Sequence, residues 1–215
     1  MPVLFIQNWD VVPGSEDEYA GFITETYIPK TTTMDLISVG GYYVEMGFGP
    51  RIIAVLSAQN ASNLARVITT ERFRDLTARL KTLVYDYGSY VLAPTGNLRR
   101  EKYVIQKQVW KFNQYYNLRS GTKKHYTDFV LNEHLPVMRM IDYVEVTGGW
   151  NVIFGDLCEI VIEFTFKDPM DIGRLMIDQD FRRVTEKLRR KYAVNYRSRI
   201  LRCTERFGEN RWVRL

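Results

Sequence analysis

His125 and His134 are the only histidines in this 215-residue sequence, and histidine is the natural acid/base near neutral pH. His134 stands just before Leu135-Pro136, where an apolar pattern with three- and four-residue steps runs out. The residue therefore falls at the C-terminal end of a helix. Facing a pocket, it would exchange a proton or bind a ligand oxygen. Facing the helix end, it would simply be stabilised by the negative pole there. Neighbouring Glu133 can orient it only through a turn of the chain, because adjacent helical residues point apart. Asp128 and Glu25 lie near the same ends and read as solvated carboxylates.

Three tryptophans, Trp9, Trp110 and Trp150, fall in β-like runs. With Tyr42, Tyr43 and Phe48 they could line an aromatic cavity for a flat apolar ligand, or serve as plain core. Arg51 follows Gly49-Pro50 and could anchor an anionic group. Two histidines cannot supply a three-histidine metal site. No dinucleotide-binding glycine motif, Walker loop, nucleophile elbow, zincin motif or EF-hand loop is present. The expected site is thus His134 as the catalytic residue, Tyr27, Trp110, Trp150 and Arg51 as ligand-binding residues, and no metal.

Composition narrows the setting. The chain is 46% hydrophobic and 26% charged, within the ordinary globular range. Its aromatics, 14 Tyr, 11 Phe and 4 Trp, can build a large core. No apolar run approaches the roughly 20 residues needed to cross a bilayer. The start, Met1 to Asp10, reads as a strand rather than a signal peptide, and a cytoplasmic location is expected. Cys158 and Cys203 form no CxxC pair, which excludes a zinc ribbon. Cys158 reads as core and Cys203 as a residue that could be exposed. The net charge of +5 concentrates in Arg182-Arg183, Lys187 to Lys191 and Arg197 to Arg202. That segment reads as a solvated basic face, with nucleic-acid binding as a weaker alternative.

The elements that would position these residues occur twice. Gly14 to Phe22 matches Gly121 to Phe129 at a constant offset (121 − 14 = 107) in its glycine, hydroxyl, tyrosine and phenylalanine. The offset carries Ile28-Pro29 onto Leu135-Pro136 and Tyr27 onto His134. With a slip of one it carries Gly40-Gly41 onto Gly148-Gly149, and Glu71 to Thr77 onto Gln179 to Thr185. Each copy reads strand, helix, two strands, helix, strand. The opening strands are expected at Val3 to Val12 and Tyr103 to Phe112, with Asn113 to Ser120 as a loop inserted after the second. Ser15 and Thr122 stand at N-cap positions. Pro29 and Pro136 should bend or end the first helices. The second helical regions should break near Ile68 to Thr70 and near Ile177-Asp178. Alternating residues such as Phe5, Gln7, Trp9, Val104, Gln106, Gln108 and Trp110 suggest a sheet face that packs on another sheet.

The βαββαβ order is the ferredoxin-like plan. With Tyr19-x-x-Phe22 and Pro29, with Tyr126-x-x-Phe129 and Glu133-His134-Leu135-Pro136, and with the Phe73 and Phe181 helices, the chain resembles the dimeric α/β-barrel superfamily. The likeness is nearest to the NIPSNAP and EthD-like branches. It implies an α+β fold of two tandem modules, residues 1–96 and 97–215, packed sheet to sheet as an intrachain barrel. It further implies binding of a small apolar or aromatic molecule, with cofactor-free monooxygenase or isomerase chemistry as the finer expectation and His134 at the position of a histidine used by several members. No cofactor is expected. Haem, with His134 as axial ligand, is a weaker alternative because the haem members' signatures are not evident. A non-catalytic assembly module and a homo-oligomer are the other expectations. The pocket would lie between each sheet and its helices, or between the two sheets.

Overall fold

A computed structural model describes residues 1–98, 102–105, 107–204 and 211–214. The first half contains β1 (Val3–Val11), α1 (Glu16–Gly21), a π-helical turn (Phe22–Tyr27) and α2 (Ile28–Thr32). It continues through β2 (Ile37–Gly47), β3 (Ile52–Ala58), α3 (Ala61–Ile68), α4 (Glu71–Lys81) and β4 (Val84–Pro94). After β5 (Lys102–Ile105), the second half repeats the order. It runs β6 (Trp110–Leu118), α5 (Lys123–Phe129), a π-helical turn (Val130–His134) and α6 (Leu135–Met140). Then come β7 (Glu145–Phe154), β8 (Ile160–Phe166), α7 (Met170–Ile177), α8 (Gln179–Lys187), a third π-helical turn (Leu188–Tyr192) and β9 (Ala193–Cys203). The last described segment is β10 (Arg211–Arg214), which pairs with β5.

Eight antiparallel strands close into one barrel in the order β1-β3-β2-β9-β6-β8-β7-β4. Each half contributes its strands in the ferredoxin-like order, and the two halves join where β2 meets β9 and β4 meets β7. Closure leaves the barrel without a free edge, the usual point of strand-to-strand aggregation. The core is in three parts. Leu4, Ile6, Tyr42, Tyr115, Trp150 and their neighbours fill the barrel. A second cluster packs β1 and β3 against the first-half helices, and a third packs β6 and β8 against the second-half helices. Because side chains alternate along a strand, Phe5, Gln7 and Trp9 belong to the helix side. They do not face the other half's sheet, as their alternation had suggested. Gln106 lies outside the described residues.

The opening strand of the second half is β6, not Tyr103 to Phe112, and the expected inserted loop at Asn113 to Ser120 is mostly that strand. Polar residues hid it. Lys111 and Asn113 point into the closed barrel and Gln114 points at the helices, all of them buried, so the apolar alternation of an ordinary strand is missing. The offset of 107 maps Val3–Val11 onto Trp110–Leu118 residue for residue. The helical breaks do fall between α3 and α4 and between α7 and α8. Ser15 and Thr122 precede their helices without making a side-chain capping bond. Cys203 is buried rather than exposed.

Candidate functional site

Pro29 and Pro136 neither end their helices nor sit in a regular one. Each lies at the start of a helical segment that follows a π-helical turn. A proline has no N–H to give, so the preceding turn can widen without losing a bond. π-Turns often mark functional sites, and here they end on Tyr27 and His134, the matched pair of the repeat. Both side chains are buried, and each enters the wall of a cleft between its helix and the outer face of its half-barrel.

The first-half cleft has a volume of about 50 Å³ and is walled by Trp9, Tyr19, Ile23, Tyr27 and Tyr43, with Gly40 and Gly41 on the sheet side. Among the described residues no charged side chain lines it. A Cβ on Gly41 would stand 2.7 Å from the carbonyl oxygen of Ile53, so only glycine allows the two strands to run this close. Trp9 Nε1 donates to the Tyr19 hydroxyl at 3.0 Å. Behind the cleft wall the Tyr27 hydroxyl donates to Gln7 Oε1 at 2.7 Å, and Gln7 Nε2 donates to the Tyr87 hydroxyl at 2.6 Å. Burial raises the Tyr27 phenol well above its ordinary range, helped by neighbouring Tyr87. It therefore acts as a neutral donor.

The second-half cleft is the same construction with different outcomes. Tyr126, Val130, His134, Gly148 and Gly149 replace Tyr19, Ile23, Tyr27, Gly40 and Gly41, and the volume is about 20 Å³. Thr95 and Leu98, just after β4, cover it, approaching the face of Gly149. The Tyr116 and Tyr126 hydroxyls share a 2.8 Å hydrogen bond, and burial raises Tyr126 to about 12. Gln114 is the counterpart of Gln7, but His134 is shorter than tyrosine. His134 Nε2, both amide atoms of Gln114 and Thr185 Oγ1 are buried without a hydrogen-bond partner. Tyr196, the counterpart of Tyr87, stands beside Gln114 without completing a bond. Burial alone lowers His134 to about 4, so the ring is neutral at pH 7. It lies parallel to Phe129 with centroids 5.8 Å apart.

A matched bulge aims Tyr87 and Tyr196. Asp86 and Asn195 both take positive φ, 50° and 53°, a conformation tolerated by Asp and Asn. The register shifts beside them, between Asn8 and Asp10 and between Tyr115 and Asn117. Neither the two glutamines nor these tyrosines stood out in the sequence. The constant offset that pairs Gln7 with Gln114 was the available signal.

The remaining expected residues do not gather at either cleft. Trp150 is inside the barrel, edge-on to Tyr103 at 5.0 Å. Trp110 is half-buried at the margin of the second helix-side core. Arg51 is exposed; its backbone N–H donates to Asp10 at 2.8 Å and its guanidinium to the Val44 carbonyl at 3.0 Å. Trp9 and Tyr43 share the first cleft, whereas Tyr42 lies inside the barrel, so the aromatic residues form no single cavity. Glu133 pairs with Lys187 at 2.6 Å rather than with His134. His125 is exposed.

Inside the barrel lies an ionic cluster. Lys111 Nζ donates to Glu163 Oε2 at 2.9 Å and to the Tyr103 hydroxyl at 3.2 Å, and the hydroxyls of Tyr103 and Tyr42 are 2.9 Å apart. A Cβ on Gly148 would fall 2.3 Å from Trp150 Nε1 and 2.7 Å from Glu163 Oε2, so this glycine separates the second cleft from the cluster. Among the described residues no three His, Cys, Asp or Glu side chains are placed to hold a metal, and no helix is long and apolar enough to cross a membrane. Haem does not fit at His134. The 20 Å³ cleft there is far below the roughly 300–1,000 Å³ of small-molecule and cofactor sites, and Nε2 is enclosed by protein.

No protein-family profile matches the chain, and no curated protein matches it in sequence. Solved structures do. A proposed monooxygenase of Lactobacillus acidophilus NCFM superposes with a TM-score of 0.60 at 10% identity, covering 93% of each chain. An anthrone oxidase-like protein gives 0.62 at 8% identity over 98% of this chain and 92% of that one. A chlorite dismutase variant of Candidatus Nitrospira defluvii gives 0.62 at 8% identity over 93% and 91%. At such identities the likeness concerns fold. The closed eight-stranded order, the helices on its outer face and these superpositions together make the chain a dimeric α/β-barrel fold with both halves on one polypeptide.

Proposed function

We propose that the protein binds a small apolar, ring-shaped molecule in the first-half cleft, which widens from its closed volume of about 50 Å³ to admit it. One observation carries the reading. The cleft is walled by the rings of Trp9, Tyr19, Tyr27 and Tyr43, and Tyr27 is held in that wall by its bond to Gln7, which in turn bonds Tyr87 behind it. Rings with a few fixed polar groups suit flat apolar ligands. The fold neighbours named for monooxygenase and oxidase activities are consistent with a small-molecule site on this barrel. Cofactor-free monooxygenation or isomerisation is the finer reading. In it, His134 serves as a neutral hydrogen-bond partner rather than as a proton acceptor, because burial holds it near 4, and it reaches a ligand oxygen only when the second cleft opens. Trp110, Trp150 and Arg51 lie away from the clefts and take no part in this reading. Two unpaired thiols, Cys158 and Cys203, suit a reducing compartment such as the cytoplasm.

The test is titration calorimetry with uncharged naphthol on the wild type and on Ile23→Trp, which fills the cleft. Binding lost in the variant supports the reading. Equal binding in both, with matched thermal unfolding, refutes it.

Exposed apolar side chains favour a second reading, self-association. Met140, Met170 and Ile177 on the second-half helices are 84%, 75% and 74% exposed. Light scattering on the wild type and on Met170→Lys/Ile177→Lys tests it. A wild type that is already monomeric refutes it.

A further inference from the structure

The second half carries a groove that neither cleft uses. It lies between α7–α8 and the outer face of β6 and β9 and encloses about 710 Å³, a volume typical of small-molecule sites. Its floor is aromatic. Phe112 and Phe181 meet edge to face at 6.4 Å, and Tyr196 stacks on Tyr116 at 6.2 Å.

The rim is basic. Arg182, Arg189 and Arg190 line it, against Glu186 as the single carboxylate. Glu186 is engaged by Arg190 at 3.3 Å. Arg189 lies over the Tyr196 ring at 5.1 Å. Among the described residues Arg182 has no carboxylate partner. Guanidinium groups are suited to carboxylates, which they grip through paired N–H donors.

The floor also holds unused hydrogen-bonding capacity. Thr185 lines the groove with its Oγ1 buried and unpartnered, and the Gln114 amide, which Tyr196 approaches, closes no well-formed hydrogen bond. At the matching place in the first half, Gln7 is bonded at both ends, although Thr77, the counterpart of Thr185, is likewise unpartnered, so the difference between the halves lies in the glutamine. Buried polar atoms left without partners are rare in native proteins and call for a ligand or a solvent molecule.

We propose that this groove binds an organic acid with an aromatic body. The carboxylate meets Arg182 and Arg189, the ring lies on Phe112, Phe181 and Tyr196, and a ring substituent bearing oxygen reaches Thr185. A small acid fits better than a nucleic acid because the arginines surround one concave mouth with rings at its base. A phosphate track would place them along an open face.

The test is calorimetric titration of the full chain with naphthoate, and with uncharged naphthol as the control. Naphthoate should bind the wild type. The exposed-residue variant Arg182→Ala/Arg189→Ala should weaken it by about tenfold or more, and Thr185→Val should weaken hydroxynaphthoate, which carries a ring oxygen, several-fold while leaving naphthoate unchanged. The lysine pair, Arg182→Lys/Arg189→Lys, should recover part of the loss, and naphthol binding should be the same in all the arginine variants. Naphthoate that fails to bind the wild type, or binds the alanine pair equally well, overturns the proposal. So does displacement of naphthoate by a single-stranded oligonucleotide with a steep salt dependence, which would mark the face as a nucleic-acid surface.

Discussion

Replacing His134 with tyrosine would give the second half the side chain that the first half carries at the same place. The informative quantity is the pH dependence of its effect. Burial lowers the histidine from its ordinary 6.5 to about 4. The folded state therefore holds a neutral ring where the unfolded chain takes up a proton. The stability tied to that neutral ring is complete above pH 6.5 and is lost as the pH falls from there towards 4. At about 1.36 kcal/mol per pKa unit the full loss is about 3 kcal/mol, and by pH 5 it is about 2 kcal/mol. Tyrosine carries no such proton. Its hydroxyl can donate to Gln114 Oε1, while its bulk strains a tight cleft, but both effects are constant over this range. Carboxylates common to the two proteins cancel in the difference. Urea unfolding of wild type and His134→Tyr, followed by tryptophan fluorescence, gives that difference at each pH. The variant's stability relative to wild type should rise by about 2 kcal/mol between pH 7.5 and pH 5. A difference that stays constant over the range would refute the buried, neutral state of His134.

Tyr27→Phe removes the donor to Gln7 Oε1 and should cost about 1–2 kcal/mol in the same unfolding assay. Lys111→Met leaves Glu163, only 4% exposed, without its countercharge and should cost about 3–5 kcal/mol. Lys111→Met/Glu163→Leu should recover most of that, and a double variant as unstable as the single one would show that the cluster is not the cause. Gly148→Ala drives a methyl into Trp150 and Glu163 and should cost about 1–3 kcal/mol, with a shifted tryptophan emission spectrum. An unshifted spectrum and an unchanged midpoint would place the added methyl elsewhere.

The tandem repeat, the element order and the barrel were legible because the turn glycines, the helix aromatics and the prolines recur at nearly fixed spacing. The position of β6 was not. Its inward residues Lys111 and Asn113 are polar, and the charge of Lys111 is met by Glu163, which lies 52 residues further along the chain. Local patterning carries no trace of such pairs. Tyr103 shows the converse. It looked like part of a barrel strand, yet it belongs to a separate two-stranded ribbon and reaches the barrel interior through its side chain. At the candidate site, His134 and Tyr27 could be found from the offset that joins them. Their environments could not. Whether a histidine titrates near 6.5 or near 4 depends on what encloses it, here Phe129 and Phe164. Of the two readings open for Trp9, Trp110 and Trp150, a shared cavity or plain core, the structure shows Trp9 and Trp150 in core and the three not gathered together. Strand residues one position apart face opposite sides of the sheet, so the side each tryptophan takes could not be read without a register.

The joining of β2 to β9 and of β4 to β7 within one chain has a genetic consequence. In a barrel assembled from two identical chains, every substitution appears twice, once in each half. A change that loosens one site must then be tolerated in both. Here the halves share a barrel but not a gene segment, so each can vary while the other holds the structure. The first half keeps a tyrosine bonded to its glutamine. The second has a shorter histidine at the same place and leaves its glutamine unbonded. One copy can thus act as the scaffold against which the other is free to acquire a different ligand.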